Sequence, residues 1–329
     1  MKFGVLYDFR NPAAWRRPWA AVYRALLDQI ASLEDLGFDA VWLTEHHFVE
    51  DGYLPALFPV AGAIAARTRR LQIGTNVLLL PLHHPVLVAE NAAVLDVLSE
   101  GRFVLGVGLG YRDEEFRGLG IPRAERPGRM EEGLRLLRHC WAAEGPFDHA
   151  GRYWQLAGVD VQPKPVQPGG VPIWVGARGE RALERAARLG DGWLAAGAGR
   201  PEYLAYRAAC ARHGRPGGPI AALRNVWVGD WSEAGPYATY MQTSYRKWYG
   251  AAGDLPVDTT EPQPANGYPL PLDWYWIGDP GFIAEQIAAA REEVPFDQLI
   301  MVMHFPGMDV EQSRASIARF ATDVLPRFS

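Results

Sequence analysis

The chain is poor in the residues and runs that mark several large protein classes. Its two cysteines, Cys140 and Cys210, stand far apart in 329 residues, and neither belongs to a CxxC pair. A disulfide framework and a zinc site are therefore disfavoured. No apolar run reaches the roughly 18 residues that a bilayer-spanning helix needs. No cationic-then-apolar leader precedes the strand-like start Met1-Lys2-Phe3-Gly4-Val5-Leu6-Tyr7, so the reading is cytoplasmic, with no membrane partner. Positive charge is not in excess: 33 Lys and Arg stand against 38 Asp and Glu, a net charge of −5. The basic stripe that binds nucleic acid is missing. No internal repeat and no Rossmann GxGxxG motif is present.

What remains is an ordinary globular balance, 48% hydrophobic and 22% charged. Short apolar runs alternate with amphipathic stretches. Strands are expected at 3–7, 40–43, 71–80, 103–107, 172–175, 192–195, 220–228 and 298–303. Helices are expected at 19–36, 57–67, 86–98, 129–143, 180–189, 202–213, 282–293 and 310–324. Eight strand–helix units imply a parallel sheet closed into a (β/α)8 TIM barrel, one domain over residues 1–329. Two segments break the rhythm. Residues 145–170 hold Pro163, Pro165 and Pro168 and read as an extended loop with a small hairpin. Residues 231–280 form a long insertion after strand seven, rich in Trp and Tyr. They read as a helix around 237–249 followed by a lid, and their aromatics suit a pocket mouth or plain packing.

The chemistry concentrates where the second strand runs out, at Thr44-Glu45-His46-His47-Phe48. In a barrel of this kind chemistry sits at the carboxyl ends of the strands. Glu45 and His46 are candidates for proton handling or anion stabilisation. Neighbouring residues on a strand point to opposite sides, so His46 and His47 are not expected to act as one unit. Metal binding is disfavoured, because no HxH or similarly spaced partner follows, and with it a metal-dependent hydrolase. Gly106-Val107-Gly108-Leu109-Gly110-Tyr111 is a second candidate, its glycines allowing a backbone to approach a ligand closely. Gly176-Ala177-Arg178-Gly179 follows a strand and opens a helix, a place suited to phosphate. His84, beside His83, is expected to satisfy its loop.

These pieces together resemble the bacterial-luciferase-like superfamily of flavin-dependent oxidoreductases. The resemblance rests on residues 42–48, Gly74-Thr75-Asn76-Val77, His83-His84-Pro85-Val86, residues 89–102 and 106–111, Pro172-Ile173-Trp174-Val175-Gly176 and residues 187–193. It implies a flavin-dependent monooxygenase that uses reduced flavin mononucleotide (FMN), dioxygen and a small hydrophobic organic substrate. No dinucleotide fingerprint is evident, which implies a separate flavin reductase as partner. His46 would stabilise negative charge or move a proton near the reactive edge of the flavin. Asn76 and Val77 would lie under the flavin ring, at a bond that is often cis in the family. Gly108, Tyr111, Gly176, Ala177, Arg178 and Gly179 complete the expected cofactor site. Leu109 departs from the family pattern, since an arginine that contacts the FMN phosphate often stands there. A rival is therefore hydride transfer with the deazaflavin coenzyme F420, and a further alternative is a non-catalytic flavin- or partner-binding barrel. The resemblance also implies a homodimer burying helix faces near 52–67 and 85–98.

Overall fold

Alternating strands and helices bury their apolar faces by wrapping the sheet into a cylinder. In the computed structural model, which describes residues 1–252 and 274–328, eight parallel strands do this. They are β1 (Lys2–Tyr7), β2 (Ala40–Leu43), β3 (Gln72–Thr75), β4 (Phe103–Val107), β7 (Ile173–Gly176), β8 (Gly192–Ala196), β9 (Ile220–Val228) and β11 (Gln298–Val302). The cylinder closes where β11 pairs with β1, Leu6 standing opposite Val302. The main surrounding helices are α1 (Trp19–Ser32), α2 (Leu57–Ala65), α3 (Pro85–Leu98), α5 (Arg126–Ala142), α6 (Glu180–Leu189), α7 (Arg200–Arg212), α9 (Pro280–Glu293) and α10 (Val310–Asp323). Among the described residues no helix is long and apolar enough to cross a membrane.

The period-two alternation of each strand separates two cores. Phe3, Val5, Val41, Ile73, Phe103 and Leu105 pack outward against helix residues such as Val22, Leu26 and Leu95. Leu6, Trp42, Val104, Trp174, Leu194 and Ile300 fill the interior. Trp42 on β2 meets Trp174 on β7 with ring centroids 5.4 Å apart, although β3 and β4 lie between those strands. Glycines make room for these rings. A Cβ on Gly4 would come within 2.9 Å of the Trp42 indole, and one on Gly74 within 2.4 Å.

Several expectations need correction. The third strand is four residues long rather than ten. After Thr75 only Leu78 returns to the sheet, as a single bridge to Val107. The N–H of Leu79 is taken by the Glu45 carboxylate at 2.7 Å, and a 3-10 turn over Leu80–Leu82 follows. The expected hairpin is β5 (Phe147–Ala150) with β6 (Gln155–Val159). The expected helix near 237–249 is longer, α8 (Trp231–Ala252), and carries Pro236 inside it. Within the expected insertion lies a strand, β10 (Tyr275–Gly278), whose pairing with the far half of β9 sets Tyr275 opposite Asn225. A four-residue apolar run behind a proline-rich stretch gave no periodicity to read. The remainder of the expected lid, including Tyr268, lies outside the described residues, as does the side chain of Tyr249. A short helix, α4 (Asp113–Gly118), also went unread between the fourth strand and α5.

Where β4 crosses β3, a Cβ on Gly106 would sit 1.7 Å from the Thr75 carbonyl oxygen, a backbone atom that cannot swing away. Gly62 in α2 has nothing within 4 Å of its Cβ position. Urea unfolding of the two alanine variants should separate them by sign: Gly106→Ala loses about 3 kcal/mol or more, whereas Gly62→Ala gains up to about 1 kcal/mol.

Candidate active site

β2 is buried along its whole length, so the chain leaves the barrel with Thr44, Glu45 and His46 still shielded from solvent. Two hydrogen-bond systems start here. In the first, His46 Nδ1 lies 2.7 Å from Glu115 Oε1, and the same oxygen accepts the His47 backbone N–H at 2.9 Å. Glu115 comes from α4 and is fully buried. Arg112, just before α4, donates from Nη1 to the His47 carbonyl at 2.7 Å and lies 3.3 Å from Glu115 Oε1. A carboxylate can only accept, so His46 carries its proton on Nδ1 in this arrangement. Its Nε2 is then the exchangeable position, 3.2 Å from the Tyr111 hydroxyl.

The second system centres on Glu45. Its Oε1 receives Nε2–H of both His47 and His83 at 2.7 Å, while Oε2 takes the Leu79 N–H. Burial works against the Glu45 charge, but the His83 and His47 imidazoles more than offset it and hold the carboxyl at about 2. Burial likewise opposes the charged form of His47, and the Glu45 carboxylate overcomes it, raising the imidazole above its usual value. His46 and His47 therefore do diverge, each to its own acid. His83, arriving from the turn after β3, joins His47 at Glu45, a neighbour that spacing around the second strand does not show. The ligand-type atoms of Glu45, His47 and His83 lie within 4.8 Å of one another, yet three N–H donors already satisfy the carboxylate.

Beside these systems three of the expected residues, Val77, Gly108 and Gly176, come together in a cradle. The Asn76–Val77 peptide bond is cis. A Cβ on Gly108 would meet Val77 Cγ2 at 2.5 Å, and one on Gly176 would meet Val77 Cγ1 at 3.2 Å, so Val77 lies between the ends of β4 and β7. Past Gly176 the loop is open. Gly179 has φ +77° and nothing within 4 Å of its Cβ position, no side chain caps α6, and Arg178 is exposed with no partner among the described residues. Ala177 is fixed by its carbonyl, which accepts from the Trp193 indole at 3.0 Å. Leu109 packs against the outer core. His84 is exposed and stands edge-on to Trp154, away from the cradle.

α8 covers the mouth. Tyr245 and Tyr53 hydroxyls are 2.8 Å apart, and Tyr240 donates to Asp51 Oδ2 at 3.0 Å. The Trp248 ring lies 5.5 Å from that of His46, with the guanidinium carbons of Arg10 and Arg112 each 5.0 Å from its centre. Arg10 is buried and tied to Asp51 at 2.7 Å and to Ser244 on α8 at 2.9 Å. Sequence reasoning missed Glu115, Arg112, His83, Tyr53 and Trp248 as site neighbours. For Glu115 and Arg112 the signal was the acidic run Asp113-Glu114-Glu115 directly after the glycine-rich turn, whereas His83 and Trp248 lay in runs that marked no single residue.

The sequence profile of the family described as luciferase-like monooxygenase matches residues 1–298. An F420-dependent glucose-6-phosphate dehydrogenase from Amycolatopsis mediterranei is 28% identical over 92% of this chain and 94% of its own length. The oxygenase component of a flavin-dependent trigonelline monooxygenase from Acinetobacter baylyi is 25% identical over 89% of this chain and 86% of its own. The crystal structure of monooxygenase RslO1 from Streptomyces bottropensis superposes with a TM-score of 0.85 at 25% identity, covering both chains fully.

The depressed Glu45 carboxyl gives a signed pH dependence. Its contribution is complete above its unfolded pKa of about 4.3 and is lost as the pH falls from there toward 2. Glu45→Gln should lower unfolding free energy near neutrality by on the order of 3 kcal/mol and flatten that acid limb. Denaturant titrations between pH 7 and pH 2 measure both; an unchanged acid limb would refute the assignment.

Proposed function

We propose, from the premise that this chain belongs to the luciferase-like monooxygenase family, that it is a flavin-dependent monooxygenase using reduced FMN and dioxygen on a small organic substrate. The observation that carries the reading is the His46 imidazole at the barrel mouth, held at Nδ1 by Glu115 with Nε2 turned to Tyr111, next to the Val77 cradle. When bound, reduced FMN supplies the electrons and the dioxygen chemistry. The residues present fit it. Asn76 and Val77, between Gly108 and Gly176, offer the ring a backbone and apolar floor. The uncapped N-terminus of α6, with Ala177, Gly179 and Arg178, offers the phosphate N–H groups, open space and a free cation. His46 holds or moves a proton at Nε2, with Glu115 supporting the charged imidazole. Glu45 fixes His47 and the turn at Leu79. Tyr53, Tyr245 and Trp248 keep water from the mouth. A separate reductase supplies reduced flavin, in line with the relative named as an oxygenase component.

The second reading is hydride transfer with coenzyme F420. It is favoured by Leu109, where an arginine would serve the FMN phosphate, and by relatives named as F420-dependent. The assembly we propose is a homodimer through α3. Leu87, Val94 and Leu98 are 58%, 43% and 59% exposed and follow one helical face.

Titrating the purified protein with FMN and F420, oxidised and reduced, separates the readings. Tight binding of reduced FMN with oxygen-dependent reoxidation supports the monooxygenase; selective F420 binding without oxygen consumption replaces it with the second reading. His46→Ala should change the reoxidation or turnover rate by about 100-fold while flavin still binds. For the assembly, light scattering should give twice the 36.5 kDa chain mass, and Leu98→Glu with Val94→Glu should return the monomer.

A further inference from the structure

A cavity of about 440 Å³ opens between α4, the 3-10 turn Arg123–Glu125 and the far end of α8. Its charged lining is four cations, Arg112, Arg117, Arg123 and Lys247, against two carboxylates, Asp113 and Glu114. Two of the cations have anionic neighbours: Arg123 stands 3.0 Å from Asp113, and Arg112 3.3 Å from Glu115 behind the wall. The Arg117 and Lys247 side chains have no hydrogen-bond or ion-pair partner among the described residues. Arg112 is 6% exposed, and its Nε has no acceptor there. A buried guanidinium N–H without an acceptor is costly. Phe116, Ile121, Pro122 and Trp248 form the apolar walls. Trp248 and Arg112 are shared with the catalytic end: the Trp248 ring faces His46, and Arg112 binds the His47 carbonyl.

We propose that this cavity holds the anionic group of the organic substrate, a carboxylate, sulfonate or phosphate, while the substrate's apolar body runs along Trp248 toward His46. Guanidinium groups match the oxygens of such anions in geometry as well as charge. The volume and mixed lining suit an aromatic or short aliphatic acid. The inference rests on the proposed function in placing the reactive end at His46; the anion site itself does not depend on which flavin binds. The same chemistry has a second source, the phosphate of the cofactor.

Benzoate is the probe, titrated by calorimetry into the full-length protein at low salt. Wild type should bind it saturably in the millimolar range or tighter, and added salt should weaken binding. Arg117→Gln with Lys247→Gln should weaken it about tenfold, whereas Arg24→Gln, an exposed cation on α1, should not. Arg117→Lys with Lys247→Arg should retain binding, which guards against a folding defect in the neutralised variant. Saturating FMN should leave benzoate bound. Absence of saturable binding overturns the proposal, and so does equal binding by wild type and the neutralised variant. Displacement by FMN but not by riboflavin, which lacks the phosphate, assigns the cavity to the cofactor and also overturns it. Benzoate binding by a protein that takes no flavin would defeat the flavin reading and leave the anion site standing; the reverse result would defeat only the anion site.

Discussion

A carboxylate shut away from water must be answered by donors, and Glu45 is answered by three: His47, His83 and the Leu79 N–H. That demand organises the mouth of the barrel. It draws the segment after β3 toward the end of β2, so Leu79 bonds to a side chain where a longer strand would have continued the backbone ladder. It brings His83, distant in sequence, beside His47. It also turns the His47 side chain toward Glu45 and leaves the neighbouring His46 for a different acid. Removing this one charge would leave two imidazoles and a buried N–H in search of acceptors, a loss larger than any single hydrogen bond.

The second acid does a different task. Glu115 accepts from an imidazole, a backbone N–H and a guanidinium around a single oxygen, with no exposure to solvent. It therefore sets which nitrogen of His46 carries the proton and which is left turned to Tyr111, the one to which the proposed chemistry is assigned. Arg112 balances its charge and links it to the His47 backbone, so the position of His46 is fixed from both sides. α8 then lays aromatic rings over this arrangement. The cover is bolted to the first strand's loop by Arg10, which joins Asp51 on one side to Ser244 on the other. The surroundings of His46, the cover and the cationic cavity thus share Arg112 and Trp248.

The barrel was legible because its signal is periodic and repeated. Strands such as 40–43 and 103–107 need only alternate apolar runs and turn residues to be read. The site was legible in part. His46 and the Val77 cradle lie in runs whose residue types and order carry a family likeness, and the cis bond falls where that likeness implies. Glu115 and His83 were not legible, because each reaches its partner through the fold: α4 is too short to show a helical period, and His83 arrives through a turn set by Glu45. β10 was hidden for a similar reason, since only its pairing with β9 marks it as a strand. Leu109, read as a departure from the pattern, is in the structure a packing residue.

Trp42 and Trp174 meet in the barrel interior, with Gly4 and Gly74 leaving room for the Trp42 indole. The interior of the cylinder is thus filled with side chains rather than hollow. On the proposed reading, cofactor and substrate both enter at the carboxyl ends of the strands, where α8 stands across part of the mouth. A molecule seated against Val77 would then leave past whatever entered after it, and the last component to bind would act as the stopper for the one beneath.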